Sequence, residues 1–358
     1  MVGLLLVNVG TPESPTPGAV RAYLRGFLGD SRVIEGNALA RWLLVNLIIA
    51  PARGWRSAAA YRRIWTERGS PLLVNSRELA DTVATLLGEK WRVEMAMRYG
   101  QPSIPAALAK LRELGVERLV VLPLFPQYAS ATTGSAVQAV LENVTRARVI
   151  PSLAIVPPFY QHPAFIAALT EVSKPVIEQV EPDHVLLSYH GLPERHLAKI
   201  CRRSAACCAG AGTGTGTDAD ADAGAGTCSE PIASRFCYRA HCLATSQALR
   251  SSLGLIASNT SIAFQSRLGR SRWIGPHTDS VIVELAKRGV RKLVVICPSF
   301  VADCLETLDE IAVRGRRNFL GAGGEELQLV PSLNAHPAWA SAAVELVRAT
   351  TCWSAPGK

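Results

Sequence analysis

The sequence predicts an α/β protein with two similar doubly wound, Rossmann-like parallel-sheet domains, related by duplication and separated by a cleft. Three observations support this fold class: continuous apolar runs of strand length, amphipathic helical patterns between them, and an internal repeat. Continuous apolar runs are typical of parallel strands that are buried on both faces. The helical patterns between the runs supply the crossovers that parallel strands need.

The internal repeat consists of two apolar strands with similar flanks, "GVERLVVLPLFP" at 115–126 and "GVRKLVVICPSF" at 289–300. Upstream of each lies another apolar strand that ends in a turn, "LLLVNVGTP" from Leu4 and "VLLSYHGLP" from Val185. Helical patterns separate the strands, as in "SRELADTVATLL" and "HTDSVIVELAKRG". The same order of elements in both halves indicates a duplicated domain.

The repeat suggests a division of the chain. We expect an N-terminal domain at 1–155 with a lip at about 34–56, a C-terminal domain at 156–335, and a closing helix and tail at 336–358, capped near Asn334. An insertion at 201–236 interrupts the second domain. Its middle, 209–227, contains only Ala, Gly, Thr and Asp, so it cannot join an apolar core and is expected to be a flexible loop.

Composition limits the classes of partner. The 358 residues are 48% hydrophobic and 19% charged, which is typical of a globular protein, and the net charge is +9. A basic surface favours an anionic partner: nucleic acid, a membrane surface or an acidic small molecule, although it can also be merely soluble. Without an aromatic-interleaved basic patch or a recognisable motif, we expect no nucleic acid.

The lip contains the segment "WLLVNLIIAP" at 42–51, which is far shorter than the roughly 20 residues of a membrane-spanning helix. Basic and aromatic residues flank it, which is typical of a surface that rests on a membrane or on a greasy ligand. An ordinary buried helix is the alternative. The flanking residues are Arg41, Trp42, Arg53, Trp55 and Arg56.

Six of the nine cysteines lie between Cys201 and Cys242. The first residues, "MVGLLLVNVGTP", lack a basic n-region and suggest a strand rather than a signal peptide. We therefore expect a cytoplasmic protein, with a peripheral contact at the inner face of the membrane as a further hypothesis. Clustered cysteines in such a protein favour metal binding over disulfides.

The stretch "VLLSYHGLPERH" suggests a buried strand that ends by presenting His190. Ligands of open parallel sheets bind at the carboxyl ends of the strands. The segment "FVADCLETLDEI" follows the repeat strand of the same half, and a helix that began near Asp303 would place Asp303, Glu306 and Glu310 on one face. An imidazole near such carboxylates could accept protons. An ordinary acidic first turn of a helix is the alternative.

Other catalytic patterns are missing from the sequence. It contains no G-x-x-x-x-G-K-[ST], no convincing G-x-G-x-x-G after a strand and no G-x-S-x-G. We therefore expect no nucleotide cofactor and no serine nucleophile.

Six segments, found in order along the chain, together resemble the ferrochelatase family, whose members insert ferrous iron into a porphyrin to make haem. The likeness runs from Leu4 to about Val347 and fails only at 201–236, and the duplicated α/β fold is the one this family has. The segments are "YRRIWTERGSPLL", "MRYGQPSI", "PLFPQYASATTGS", "HGLPER", "FQSRLGRSRWIGPHTD" and "FVADCLETLDEI".

The resemblance implies a role for individual residues. His190 is the expected acceptor of the pyrrole protons, Glu306 the carboxylate opposite it, and Asp303 and Glu310 an acidic relay. His190 and Glu306 are also the candidates for contact with the Fe²⁺ substrate. Cys304 stands where the family often has histidine, a stronger base. The expected porphyrin-binding residues are Arg63, Arg98, Tyr99, Tyr128, Ser130 and Trp273.

The resemblance also raises a cofactor hypothesis, because some ferrochelatases carry a [2Fe–2S] cluster. The animal-type ligand set is excluded, since Ser130 occupies its loop position and Cys352 is the only cysteine near the end. An internal cluster would use four thiolates. A zinc site and a loop of reduced thiols are the alternatives. The candidate ligands are Cys201, Cys207, Cys208, Cys228, Cys237 and Cys242.

The resemblance thus implies a lyase of the metal-chelatase type that makes protohaem from protoporphyrin IX and Fe²⁺ in the terminal step of haem biosynthesis. Three alternatives stay open: a coproporphyrin ferrochelatase, a related cobalt or sirohydrochlorin chelatase, and a non-catalytic haem or iron–sulphur sensor.

Overall fold

The computed structural model of the chain describes residues 1–200, 235–267, 269 and 271–351, and these residues form two compact units. The first unit comprises Met1–Phe125, Ser130–Phe159 and Asn334–Lys358. The second comprises Pro126–Ala129 and Tyr160–Leu333.

The sheet of the first unit has, among the described residues, four parallel strands in the order β2-β1-β3-β4. Leu5 in the central strand pairs with Glu94 on one side and Val121 on the other. Leu5 and Val121 are fully buried, as expected for apolar runs covered on both faces. The strands are β1 (Val2–Gly10), β2 (Trp91–Tyr99), β3 (Arg118–Pro123) and β4 (Ser152–Ile155).

The sheet of the second unit repeats this topology. Its described strands are parallel and run in the order β6-β5-β7-β8, so each strand has its counterpart in the first sheet. The repeat strands at 115–126 and 289–300 are β3 and β7. The predicted class of two similar α/β domains with parallel sheets is therefore confirmed. The strands are β5 (His184–His190), β6 (Thr260–Gln265), β7 (Lys292–Ile296) and β8 (Glu326–Leu329).

Helices connect successive strands, and several begin with proline, whose fixed φ suits the first turn. In the part of the chain that the structure describes, three segments have π-helical geometry: Leu44–Ile49, Ser130–Gly134 and Glu306–Gly315. The described α-helices are α1 (Pro17–Gly29), α2 (Ala38–Leu43), α3 (Ala50–Ile64), α4 (Pro71–Leu87), α5 (Ile104–Glu113), α6 (Ser135–Thr145), α7 (Pro163–Val180), α8 (Glu194–Ala198), α9 (Tyr238–Leu253), α10 (Thr278–Lys287), α11 (Arg316–Gly321) and α12 (Pro337–Thr350).

The closing helix α12 belongs to the first unit, where it packs against α4. Its cap is His336, whose Nδ1 accepts a hydrogen bond from the Ala338 N–H at 3.3 Å, and not Asn334. Asn334 instead has a left-handed backbone, with φ of 49°, and its side chain accepts a hydrogen bond from Asn75. The sequence pattern placed the start of the helix correctly to within a few residues, but the side chain of Asn334 bonds Asn75 instead of capping the helix.

The lip is exposed rather than buried, which excludes the ordinary buried helix at its described residues. Trp42, Leu47, Ile48 and Trp55 are 55%, 63%, 61% and 64% exposed. Arg41 is tied to its own unit, since its guanidinium donates to the carbonyls of Gly29, Ile34 and Gly36. No helix within the described ranges combines the length and the apolar character needed to span a membrane.

Candidate active site

His190 is the last residue of β5 and pairs with Gln265 of β6 at the carboxyl edge of the second sheet. Its Nδ1 lies 2.6 Å from the carbonyl oxygen of Gly191. Because a carbonyl only accepts, Nδ1 carries the proton and the neutral ring has its lone pair on Nε2. The loop that follows β5 therefore fixes which nitrogen of His190 can act as a base.

The surroundings of His190 fix its main chain and one side of its ring. The Tyr238 hydroxyl of α9 donates to the His190 carbonyl at 2.8 Å and lies 3.1 Å from the Ser299 hydroxyl. The ring centroids of His190 and Phe300 are 6.1 Å apart. Trp273 forms a backbone bridge with Pro193, and its indole lies against Gly191, where an added Cβ would meet it at 3.3 Å. The structure thus brings Trp273 close to His190.

Gln265 connects the strand end to the acidic segment. Its side chain is 2% exposed. Its Oε1 accepts from Ser188 at 2.6 Å, and its Nε2 donates to the carbonyl oxygen of Glu306 at 2.8 Å. A buried amide with both ends bonded has one favoured orientation. The same residue that pairs with His190 therefore holds the backbone of Glu306.

Glu306 opens the π-helical segment, which begins three residues after Asp303 and thus close to the expected helix start. Asp303 lies in the loop before it. Its carboxylate accepts hydrogen bonds from the Thr307 hydroxyl at 3.0 Å and from the Ser332 N–H at 3.3 Å. Asp303 is buried, whereas Glu306 is half-buried. π-Helical turns are rare and occur often at functional sites. Asp303 therefore lies next to the helix that carries Glu306 and Glu310, and its hydrogen bonds hold the loop before that helix.

Cys304 lies next to Glu306 and is 7% exposed. Burial raises the pKa of the Cys304 thiol well above its ordinary value, and the neighbouring Glu306 carboxylate raises it further. The group therefore stays a thiol beside the Glu306 carboxylate. At this position the chain offers Glu306 a weak hydrogen-bond donor rather than a second base.

Glu310 is held by the residue after β6. Its carboxylate accepts from the Ser266 N–H at 2.9 Å and from the Ser266 hydroxyl at 2.5 Å. Ser266 adopts φ of 68°, a left-handed conformation that side-chain-bearing residues rarely take. The two hydrogen bonds offset this strain and join the strand end to the π-helical segment. Glu310 is thus a carboxylate with assigned donors.

A second polar cluster lies in the first unit around Asp30. Its Oδ2 accepts from Arg98 Nη2 at 2.8 Å, from the Tyr99 hydroxyl at 2.7 Å and from the Ser135 hydroxyl at 2.6 Å. Burial alone would raise the pKa of Asp30, but these donors, the Arg32 N–H and the Arg98 charge lower it below the ordinary value. Burial raises the pKa of Tyr99. The polar groups of Arg98 and Tyr99 are engaged inside this unit.

The remaining predicted porphyrin residues fall in three places. Ser130 accepts a hydrogen bond from Arg32 Nη1 at 2.9 Å, which connects it to the Asp30 cluster. Arg63 is exposed near the end of α3. Tyr128 belongs to the second unit, where its N–H donates to His241 Nδ1 at 3.1 Å.

Of the six candidate cluster ligands, Cys201, Cys207, Cys208 and Cys228 lie outside the described residues. Cys242 is fully buried, and burial raises the pKa of its thiol well above the ordinary value. Cys237 is half-buried at the start of α9. Within the described part of the chain, no group of three or more His, Cys, Asp or Glu could hold a metal ion.

Sequence reasoning missed several residues that organise these sites. Gln265 and Ser266 open the segment "FQSRLGRSRWIGPHTD", so their position was available from the sequence, but their contacts with Glu306 and Glu310 were not. No pattern singled out Asp30. The other missed residues are Arg32, Ser135, Tyr238 and His241.

Known proteins resemble the chain throughout its length. The sequence model of the family described as Ferrochelatase matches residues 1–351. A protein named ferrochelatase from Coxiella burnetii (strain CbuG_Q212) is 44% identical over 97% of this chain and 93% of its own. One of the same name from Legionella pneumophila (strain Lens) is 44% identical over 96% of this chain and 98% of its own.

Solved structures resemble the fold. SirB from Bacillus subtilis with Fe³⁺ aligns with a TM-score of 0.52 at 12% identity, covering 98% of this chain and 96% of that chain. The sirohydrochlorin chelatase SirB from Bacillus subtilis subspecies spizizenii, in complex with cobalt, aligns with a TM-score of 0.53 at 10% identity, covering 98% and 94%. At such identities the likeness concerns the fold alone.

Proposed function

Because the chain belongs to the ferrochelatase family, we propose that it inserts Fe²⁺ into protoporphyrin IX, releases two protons and forms protohaem. This reaction is the terminal step of haem biosynthesis, and the enzyme is a lyase of the metal-chelatase type. The observation that carries the proposal is the tautomer of His190, whose Nε2 lone pair is fixed at the carboxyl edge of the second sheet. A base is required there because both pyrrole N–H protons must leave the ring.

In the proposed reaction, His190 Nε2 accepts the two pyrrole protons one after the other and gives up the first to solvent before it takes the second. The Gly191 carbonyl stabilises the resulting imidazolium, because Nδ1–H already points at it. The Glu306 carboxylate supplies an oxygen ligand of the kind that replaces water around a divalent iron ion. Trp273, next to Gly191, offers an apolar wall for the macrocycle. Asp303 and Glu310 set the position of the loop and helix that carry Glu306.

The proposal is tested by an iron-insertion assay under anaerobic conditions, in which the loss of porphyrin fluorescence measures the reaction. We expect the wild type to turn over protoporphyrin IX and Fe²⁺, and His190→Ala to lower kcat by about 100-fold or more, the usual contribution of a general base. His184→Gln is the matched control, since His184 is a buried imidazole of the same strand whose Nε2 bonds Ser261. Unchanged turnover in His190→Ala would refute the role given to His190.

The substrate alternatives differ in readouts of the same assay. Preference for coproporphyrin would replace the protoporphyrin assignment, and insertion of Co²⁺ into sirohydrochlorin would favour the related chelatase activity. Tight haem binding without turnover would favour a sensor. Family membership supports iron and porphyrin, whereas the solved structures share only the fold.

A peripheral membrane contact of a cytoplasmic protein is part of the proposal. It is supported by the exposed apolar side chains of the lip, including Trp42 and Ile48, and by the net charge of +9. We expect cosedimentation with anionic phospholipid vesicles that weakens in high salt. Replacing Trp42 and Ile48 by Ser should release the protein. Equal sedimentation of this double variant and the wild type would contradict the proposed contact.

The [2Fe–2S] cluster stays a prediction. Its least suitable ligand is Cys242, which is fully buried beside Tyr238. Four of the other five cysteines would then hold the cluster: Cys201, Cys207, Cys208, Cys228 and Cys237. Visible absorption and metal analysis of anaerobically purified protein distinguish the alternatives. A brown, iron-containing preparation supports the cluster, and a colourless preparation with bound zinc supports the zinc site. A preparation without iron or zinc supports free thiols.

A further inference from the structure

His241 is a buried imidazole in the first turn of α9 that no step of the proposed reaction uses. It is 1% exposed. Its ring stacks on Tyr160, with centroids 3.8 Å apart and planes 9° from parallel. A stacked and buried ring has little freedom to rotate, so both of its nitrogens have fixed partners.

The two nitrogens of His241 have opposite roles. Nδ1 accepts a hydrogen bond from the Tyr128 N–H at 3.1 Å. Nε2 lies 2.9 Å from the Arg235 carbonyl oxygen, which only accepts, so Nε2 carries the proton. The ring is therefore the neutral Nε2–H tautomer. This agrees with burial lowering the pKa of His241 to about 4, against the opposite effect of the hydrogen bond to Arg235.

The neighbouring turn of α9 holds the same loop. Thr245 accepts a hydrogen bond from Gln127 Nε2 at 3.1 Å, and its hydroxyl lies 2.6 Å from the Tyr160 carbonyl oxygen. Two successive residues of the loop, Gln127 and Tyr128, are thus hydrogen-bonded to side chains of α9. The Tyr128 ring packs edge-on against Phe236, with centroids 5.5 Å apart. The direction of the Tyr128 side chain follows from these attachments.

We propose that His241 is a positioning residue for porphyrin binding: it fixes Tyr128 and connects it to Arg235, which lies at the end of the predicted insertion at 201–236. This inference rests on the proposed function, in which Tyr128 contacts the porphyrin. A change at 235–237 would move the Nε2 partner of His241 and thereby the Tyr128 backbone. The porphyrin site and the end of the insertion are coupled through one imidazole.

The inference separates binding from chemistry. Without the Nδ1 acceptor, the part-buried Tyr128 N–H loses its hydrogen bond, and the loop must be ordered when porphyrin binds. Affinity for porphyrin should therefore fall. His190 keeps its own contacts with Gly191 and Tyr238, so the insertion step at saturating porphyrin should change little.

Two amide variants distinguish the two nitrogens. In His241→Asn, the amide oxygen takes the place of Nδ1 and still accepts from Tyr128. In His241→Gln, the amide nitrogen takes the place of Nε2 and still donates to Arg235, but the acceptor for Tyr128 is lost. Porphyrin affinity is measured without iron, by quenching of tryptophan fluorescence, and kcat in the iron-insertion assay.

We expect His241→Gln to weaken porphyrin binding by about five-fold, the loss of one buried hydrogen bond. His241→Asn and the control His184→Gln should stay within about two-fold, as should kcat in all three. Wild-type affinity in His241→Gln, or an equal loss in all three variants, would overturn the inference. If His241→Gln does not fold, Thr245→Val, which removes the acceptor of Gln127, should weaken binding in the same way, and unchanged affinity there would overturn it.

The experiments distinguish a failure of this inference from a failure of the proposed function. Porphyrin that binds the wild type without iron insertion contradicts the proposed function. Wild-type iron insertion with equal porphyrin affinity in His241→Gln contradicts only the role of His241.

Discussion

At the level of single residues, Asp30 is the clearest case of a side chain whose role depends on distant partners. Arg98, Tyr99 and Ser135 reach its carboxylate from positions 68, 69 and 105 residues away in the chain. The Asp30 side chain is 7% exposed, so its charge is compensated mainly by hydrogen-bond donors. The cluster joins the end of α1 to β2 and α6, and it fixes both expected porphyrin residues of β2.

Asp30→Asn should lower the free energy of unfolding by about 2 kcal/mol at neutral pH, because the charge that pairs with Arg98 is lost. The pKa of Asp30 is lowered in the folded state, so the carboxylate stabilises the fold above its unfolded pKa of about 3.9. This contribution is lost as the pH falls through the folded pKa. Urea unfolding at a series of pH values should show the difference from wild type shrinking in acid.

Asp279→Asn is the control for this prediction, since the Asp279 pair with Arg267 is exposed and should contribute less than about 1 kcal/mol. A difference between Asp30→Asn and the wild type that stays constant from neutral to acidic pH would show that shape, and not charge, is responsible.

At the level of elements, the carboxyl ends of β1 and β6 carry the functional geometry, and each end is fixed by a close contact. Gly10 ends β1 with φ of 115°, and an added Cβ would lie 1.7 Å from the Tyr99 carbonyl oxygen of β2. In the second sheet, Ser266 follows β6 and binds Glu310 of the π-helical segment. Both strand ends therefore tolerate little change in shape.

Gly10→Ala should destabilise the protein by more than about 3 kcal/mol, because it combines an unfavourable φ with a collision with backbone. Gly36→Ala isolates the first effect, since Gly36 has φ of 117° and no atom within 4 Å of its added Cβ. The cost at Gly36 should be about 1–2 kcal/mol. Urea midpoints compare the two; equal destabilisation would mean that the contact with Tyr99 relaxes.

At the level of the whole molecule, the chain returns from the second unit to complete the first. Helix α12 places Trp339, which is fully buried, against Phe159 with ring centroids 5.5 Å apart. Asn334 meets Asn75 from 259 residues away. The first unit therefore contains residues from both ends of the chain, and its core includes a side chain of the last helix.

Trp339→Ala should lower the free energy of unfolding of the first unit by about 3–5 kcal/mol, the usual cost of emptying a buried aromatic site. Trp42→Ala is the matched control, because Trp42 is 55% exposed and its removal should change stability by less than about 0.5 kcal/mol. Thermal unfolding of both variants gives the comparison, and similar midpoints for the two would contradict the packing described for α12.

The sequence by itself determined the duplicated α/β fold. Each continuous apolar run predicts a buried strand from its own residues, and the repeat shows that the same elements occur twice. It also located His190 at a strand end and Glu306 near the start of a helix. It could not determine which donors hold Asp303, that the Cys304 thiol is buried, or that Asp30 organises Arg98 and Tyr99.

Those facts depended on the tertiary structure. The tautomer of His190, the roles of Gln265 and Ser266, and the exposure of Trp42 follow from which atoms meet when distant segments pack. Hydrogen-bond partners many residues apart leave no periodic trace in a chain, whereas burial does. For that reason the architecture was predictable from the residues, and the chemistry of the site had to be seen in three dimensions.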